Sequence, residues 1–235
     1  MMRAAAQNVI ERLVRVEHGE WPKLALAFTY FFLLLGGYFM LRPLRGTVAA
    51  NNSDILHWLY TATFLTMVAI VPVFGFLVSR FRRGQFIPGI YAVFIGTLLL
   101  FAFGFDDAAT PQWIQRTFYV WLSVFNLFVV SIFWSFMADI FRPGQATRLF
   151  GFIMAGGSIG AILAPMATRL VVVDFGATGV MVVAALALAG ATAMAIVLGR
   201  FVRQEQHIRH TPVIGGSIWE GAVRVFRSEY LLYAC

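Results

Sequence analysis

Three side chains near position 40, Tyr38, Arg42 and Arg45, have the types and the spacing to hold an anion. In a helix they occupy i, i+4 and i+7, which is one face. Arginine presents a planar fork that binds two oxygens of a carboxylate or phosphate at once. Their setting makes them unusual. Leu24–Leu41 carries no charge, enough residues for most of a bilayer crossing at ~1.5 Å rise each. Arg42 and Arg45 follow directly, so if the helix continues, two guanidiniums stand where hydrocarbon should be. Each costs ~2.5 kcal/mol or more there unless it faces a wet cavity or an anion. The alternative is a helix that ends before Pro43, because a residue preceding proline disfavours the α region. Both arginines would then be interface anchors.

A second set has the same chemical character. Arg116, Tyr119, Ser123 and Asn126 fall at i, i+3, i+7 and i+10, a face that continues to Trp134. Ser158, Thr168 and Arg169 are the comparable groups further on. For Arg116 and Arg169 the competing role is anchoring at the interface, and for Asn126 an interhelical hydrogen bond. No carboxylate lies in the middle of an apolar run; Asp54, Asp106, Asp107, Asp139 and Asp174 all flank run ends. A proton-coupled carrier needs a titratable acid near mid-membrane, so the positive interior points to an anionic substrate or counter-anion. No nucleophile–base pair, metal-ligand spacing or glycine-rich phosphate loop occurs, and Cys235 is the lone cysteine. Neither an enzyme nor a resident cofactor or metal is expected.

The elements that must position these groups follow from composition. The chain has 235 residues, 60% of them hydrophobic and 12% charged, which fits an all-α polytopic membrane bundle rather than a soluble domain. Six spans are expected near Leu24–Ala50, Ile55–Val78, Phe86–Phe105, Thr117–Ile140, Leu149–Val173 and Thr178–Gly199. Short connections make neighbours antiparallel. Residues 1–23 read as an amphipathic segment at the membrane surface, with no signal-peptide core. Residues 201–229 read as a polar linker, and 230–235 as the start of a seventh span, so the chain reads as truncated. Although the net charge is +7, the basic residues sit at span ends rather than on one soluble face, which argues against a nucleic-acid polymer as partner. Fourteen of the eighteen basic residues fall on the side of the N-terminus, the second and fourth connections and the tail after residue 199. By the positive-inside rule both ends face the cytoplasm.

Packing cues accompany the spans. Gly156-x-x-x-Gly160 allows close helix approach, Pro72 and Pro165 are expected to kink their helices, and Gly36-Gly37 is either a flexing point or a contact for a neighbouring helix.

Two stretches resemble the major facilitator superfamily. GFLVSRFRRG at Gly75–Gly84 is similar to its loop between spans two and three, with Ser79 where the family usually has aspartate. Ala138–Pro165 (ADIFRPGQATRLFGFIMAGGSIGAILAP) resembles the inner end of its span four and its glycine-rich span five. Within that fold, YFMLRPLRGTVAA at Tyr38–Ala50, FWSF at Phe133–Phe136 and ATRLFGFI at Ala146–Ile153 look like the ATP/ADP translocase family. Arg42 stands at that family's arginine position and Arg45 at its lysine position; Pro43 and Gly46 replace its acidic residues. The resemblance covers roughly residues 24–200 and implies the N-terminal six-helix half of a transporter, built as 3+3 inverted repeats, whose C-terminal half is the partner. It implies exchange of a nucleotide or phosphorylated metabolite across the cell (inner) membrane. Arg42, Arg45, Tyr38, Tyr119, Asn126 and Arg116 would meet the substrate. Asp139 and Arg148 would form an inner-gate ion pair, with Arg80, Arg82 and Arg83 on the same side. The alternatives are a carrier of this fold for a drug or neutral metabolite, or a six-span scaffold or sensor without transport.

Overall fold

The computed structural model describes residues 19–80, 83–105 and 110–206, with side chains at 19–76, 86–105 and 110–202. The surface segment expected before residue 19, most of the linker, the start of a seventh span and Arg82 lie outside the described residues, as do the side chains of Arg80 and Arg83. Within them the chain is helical throughout: α1 Trp21–Asn51, a short 3-10 turn Ser53–Ile55, α2 Leu56–Arg80, α3 Arg83–Gly104, α4 Gln112–Ile140 and α5 Pro143–Gln206. All five helices are long and apolar enough to cross a membrane. Helix is the only solution such runs allow in lipid, because every backbone N–H and C=O then finds its partner inside the segment.

The six expected spans thus appear as five helical elements. The fifth and sixth are joined through Gly176, the one residue of α5 with non-helical backbone, at φ 63 and ψ −166. A positive φ of this kind suits glycine, which has no Cβ to clash. A single residue therefore makes the turn for which the sequence suggested a loop at Asp174–Ala177. The contacts of the two arms with α1 give their directions. In the first arm (143–175) Gly156 abuts Phe28, Gly160 abuts Phe32, and Thr168 donates to the carbonyl of Met40. Numbers rise together, so this arm runs parallel to α1. In the second arm (177–206) Ala184 and Leu188 abut Gly37, and Gly190 abuts Leu33. Numbers run oppositely, so this arm is antiparallel. The larger part of the bundle's packing is between α1 and α5, and α1 is the buried axis.

Close approach here depends on absent side chains. A Cβ on Gly160 would lie 2.5 Å from the Phe32 carbonyl oxygen, and one on Gly156 2.7 Å from that of Phe28. Gly37 meets the carbonyl of Ala184 and the Ala187 methyl, so Gly36-Gly37 is a contact surface for neighbouring helices. In apolar surroundings, dispersion between touching backbones replaces the hydrophobic drive that lipid cannot supply. Helix α1 also runs through Pro43 without ending. The carbonyl of Pro43 accepts from the Thr47 hydroxyl at 3.3 Å, a back-bond that helical Ser and Thr commonly make.

The other side of α1 is an aromatic wall. Phe31 stacks on Phe133 with centroids 4.2 Å apart, and Tyr38 leans on Phe125. Tyr30 and Tyr91, both fully buried, share a hydroxyl–hydroxyl hydrogen bond that ties α1 to α3. Burying a phenol without a partner costs ~1–3 kcal/mol. Tyr91→Phe and Tyr30→Phe should each lower thermal stability in detergent by that order. The double variant should lose less than the two single losses combined, because neither hydroxyl is then orphaned. Strict additivity in the melting curves would disprove the coupling. By contrast α2 packs chiefly on α4, with Phe74 against Phe128 and Tyr60 against Tyr119, and leaves Trp58, Phe64, Leu65 and Val68 exposed.

Candidate functional site

Because α1 continues past Pro43, Tyr38, Arg42 and Arg45 do share a flank, spread over ~10 Å of helix at 1.5 Å per residue. Two of them lie against α4. The Arg45 guanidinium carbon sits 4.1 Å from the Tyr119 ring centroid. Tyr119 is buried, with the Tyr60 ring edge-on behind it at 6.3 Å. Tyr38 is half-buried between Phe39 and Phe125. Arg42 turns off this seam and is exposed, its guanidinium carbon 5.4 Å from the Phe39 centroid.

The strip of α1 carrying residues 35, 39, 42 and 46 lies between two seams. On one side α4 is met through Phe31–Trp134, Tyr38–Phe125 and Arg45–Tyr119. On the other the first arm of α5 is met through Phe28–Gly156 and Gly36–Gly160. Arg42 is therefore exposed on the strip of α1 between the α4 and α5 seams. Asn126, next to Phe125, is half-buried on α4. Ser158 is exposed on α5 and donates to its own helix at the Met154 carbonyl. Ser123 does the same to the Tyr119 carbonyl at 3.4 Å. Arg169 is exposed beside Thr168.

The electrostatics are one-signed. Among the described residues no carboxylate lies within ion-pair distance of Arg42, Arg45 or Arg116. The Arg45 Nε–H is buried and has no hydrogen-bond partner. A ring face attracts the cation as a whole but supplies no acceptor in the guanidinium plane, so the in-plane donors of Arg45 are left for an oxygen ligand.

Arg116 stands apart from this pair. Its Nε donates to Asn52 Oδ1 at 3.0 Å and its Nη2 to Gln112 Oε1 at 2.8 Å. Asn52 is almost wholly buried, and its amide nitrogen donates to the Val48 carbonyl at 3.0 Å and to Gln115 Oε1 at 3.5 Å. Arg116 thus fastens the end of α1 to the start of α4. Nothing in the sequence singled out Asn52, Gln112 or Gln115, since an Asn-Asn-Ser-Asp stretch reads as a plain turn.

At the opposite end, Glu20 accepts from Gln145 Nε2 at 2.7 Å and from Arg148 Nη2 at 3.3 Å. Asp139 is exposed near the end of α4. The expected gate residue Arg148 therefore has Glu20 as an ion-pair partner, a residue the sequence reading did not select. Its position was legible, for a carboxylate just before a Trp-Pro helix start suits the positive end of the helix dipole. The Arg148 side chain is 28% exposed, so the pair contributes only ~1 kcal/mol. Glu20→Ala should raise amide hydrogen exchange at 145–149 several-fold, with α3 unaffected. Equal exchange in both proteins would contradict the contact.

No family model, curated protein or solved structure matches the chain.

Proposed function

We propose that this chain is a membrane carrier for an anion, gripped by Arg42 and Arg45. The observation that supports it is Arg45: a half-buried side chain that pairs with no carboxylate among the described residues, its buried Nε–H without an acceptor. Leaving a buried charged donor unpaired costs more than a hydrogen bond gains. The arrangement makes sense when a transient ligand supplies the missing oxygen. Tyr38, Tyr119 and Asn126 would orient that ligand, and Arg42 would meet it from its exposed position on α1.

On this reading the described helices are one bundle of a two-bundle major facilitator-type carrier, related to the nucleotide-exchange translocases, that rocks against its other half. The cargo is a phosphorylated metabolite or nucleotide, exchanged for a counter-anion across the cell membrane, with both ends of the segment cytoplasmic. Glu20, Gln145 and Arg148, with Asp139 and the Arg80, Arg82 and Arg83 cluster, would close the inner side. No chemical step is assigned to the chain.

The test is uptake into proteoliposomes by the full-length protein, with labelled phosphate, nucleotides and neutral metabolites offered in turn. Loss of uptake in Arg42→Ala and Arg45→Ala, at wild-type insertion, is the expected result. Unchanged uptake in both would overturn the assignment.

A further inference from the structure

We propose that Arg116 is a second anion site at the outer end of the α1–α4 seam, held ready by neutral amides that an oxyanion displaces. The proposal rests on the reading of this seam as an anion path. Arg116 precedes Tyr119 by about one turn of α4, and Asn52 follows Arg45 by two turns of α1, so Arg116 lies beyond Arg45 on the same seam. Its two observed acceptors, Asn52 Oδ1 and Gln112 Oε1, are uncharged amide oxygens. They satisfy two donors, and among the described residues no carboxylate pairs with the remaining charge.

The two amides differ in a way that assigns them roles. Asn52 is 1% exposed and itself held by the Val48 carbonyl, so it fixes the Nε edge of the fork. Gln112 is exposed, and its bond to Nη2 is open to solvent. A guanidinium bond to an anionic oxygen is about twice as strong as one to a neutral oxygen. A phosphate or carboxylate oxygen therefore takes the Nη2 position from Gln112 while Asn52 keeps the fork oriented. A carboxylate in place of Gln112 would compete too well to be displaced.

The ligand chemistry is a small oxyanion, either free in solution or carried on a lipid headgroup. Titration of inorganic phosphate into the purified full-length protein tests the site. Arg116→Gln should weaken binding about tenfold or more, as expected for loss of a charge-assisted bond. Gln112→Ala should tighten it about fivefold by removing the internal competitor. A purely structural latch predicts no tightening, and Gln112 is exposed enough for its variant to fold. Unchanged binding in both variants overturns the proposal, as does weaker binding in Gln112→Ala.

The same titration in an Arg45→Gln background separates the two sites. Phosphate binding there that still needs Arg116 upholds the outer site even where the Arg45 site fails. Repeating it in nanodiscs of phosphatidylcholine, alone and with phosphatidylglycerol, distinguishes the sources. Phosphate bound in both lipids assigns a soluble anion. Phosphate excluded by phosphatidylglycerol in the wild type, but not in Arg116→Gln, assigns a headgroup.

Discussion

Arg45→Ala is expected to lower uptake by the proposed anion carrier about a hundredfold or more, the largest functional effect of any single substitution in this chain. The magnitude follows from the bonds at stake. A guanidinium–oxyanion fork supplies two charge-assisted hydrogen bonds, each ~1.5–3 kcal/mol net, and ~1.4 kcal/mol corresponds to tenfold. Arg45→Lys should recover only part of the loss. An ammonium keeps the charge but offers neither the fork nor a flat face to lie on Tyr119, whose ring centroid is 4.1 Å from the Arg45 guanidinium carbon. Tyr119→Leu should fall between, near tenfold, because the ring attraction of ~1–2 kcal/mol disappears while the donors remain. Tyr119→Phe, which keeps the ring and loses only the hydroxyl, should cost less than Tyr119→Leu. Uptake assayed at matched insertion decides the order. Lysine as good as arginine at position 45 would show that the fork geometry is irrelevant.

Gly160→Val is expected to have the largest effect on assembly. The position lies where α1 and the first arm of α5 touch backbone to backbone. A Cβ would stand 2.5 Å from the Phe32 carbonyl oxygen and 3.1 Å from the Gly36 amide nitrogen. Neither atom belongs to a side chain that can swing away, so the helices must separate. Overpacking of this kind costs ~1–3 kcal/mol and occasionally more, and valine places two further methyls in the seam. The thermal midpoint in detergent should fall by many degrees, or the protein should elute as aggregate. Gly157 is the useful contrast. A Cβ there meets the Phe31 ring and, at 2.7 Å, the Leu35 methyl, side-chain rather than backbone atoms, so Gly157→Ala should be milder than Gly160→Ala even though Phe31 is held by its stack on Phe133. Gly96→Ala and Gly151→Ala meet nothing within 4 Å and should melt like the wild type. A Gly160→Val protein that elutes and melts normally would refute the close-packed seam.

Much of the architecture is legible in the residue order because lipid removes choices. A long uncharged run must be helical when no water is present to satisfy its backbone, and the helices α1 to α4 correspond to four of the expected spans. The Gly156-x-x-x-Gly160 contact was legible for the same reason, since only small residues let backbones touch. The flank shared by Tyr38, Arg42 and Arg45 was readable from helical spacing alone.

Whether that flank exists depended on Pro43, and there local preference pointed both ways. Proline disfavours helix at the preceding residue, yet α1 continues because one face of it stays buried beyond the proline, at Leu44 and Val48. Tertiary burial overrode a local penalty, as it commonly does. Partner choice was likewise beyond the residue order. Arg42, Arg45 and Arg116 are the same residue type in similar company. Tertiary structure seats one on Tyr119, leaves one exposed beside Phe39 and ties one to Asn52 and Gln112. What sets them apart is the rotation and depth of α1 against α4, fixed by packing between residues far apart in the chain. The same holds for Glu20 with Arg148, and for Tyr30 with Tyr91. Helical periodicity determines which side chains lie on one face; only the packed bundle determines what stands opposite them.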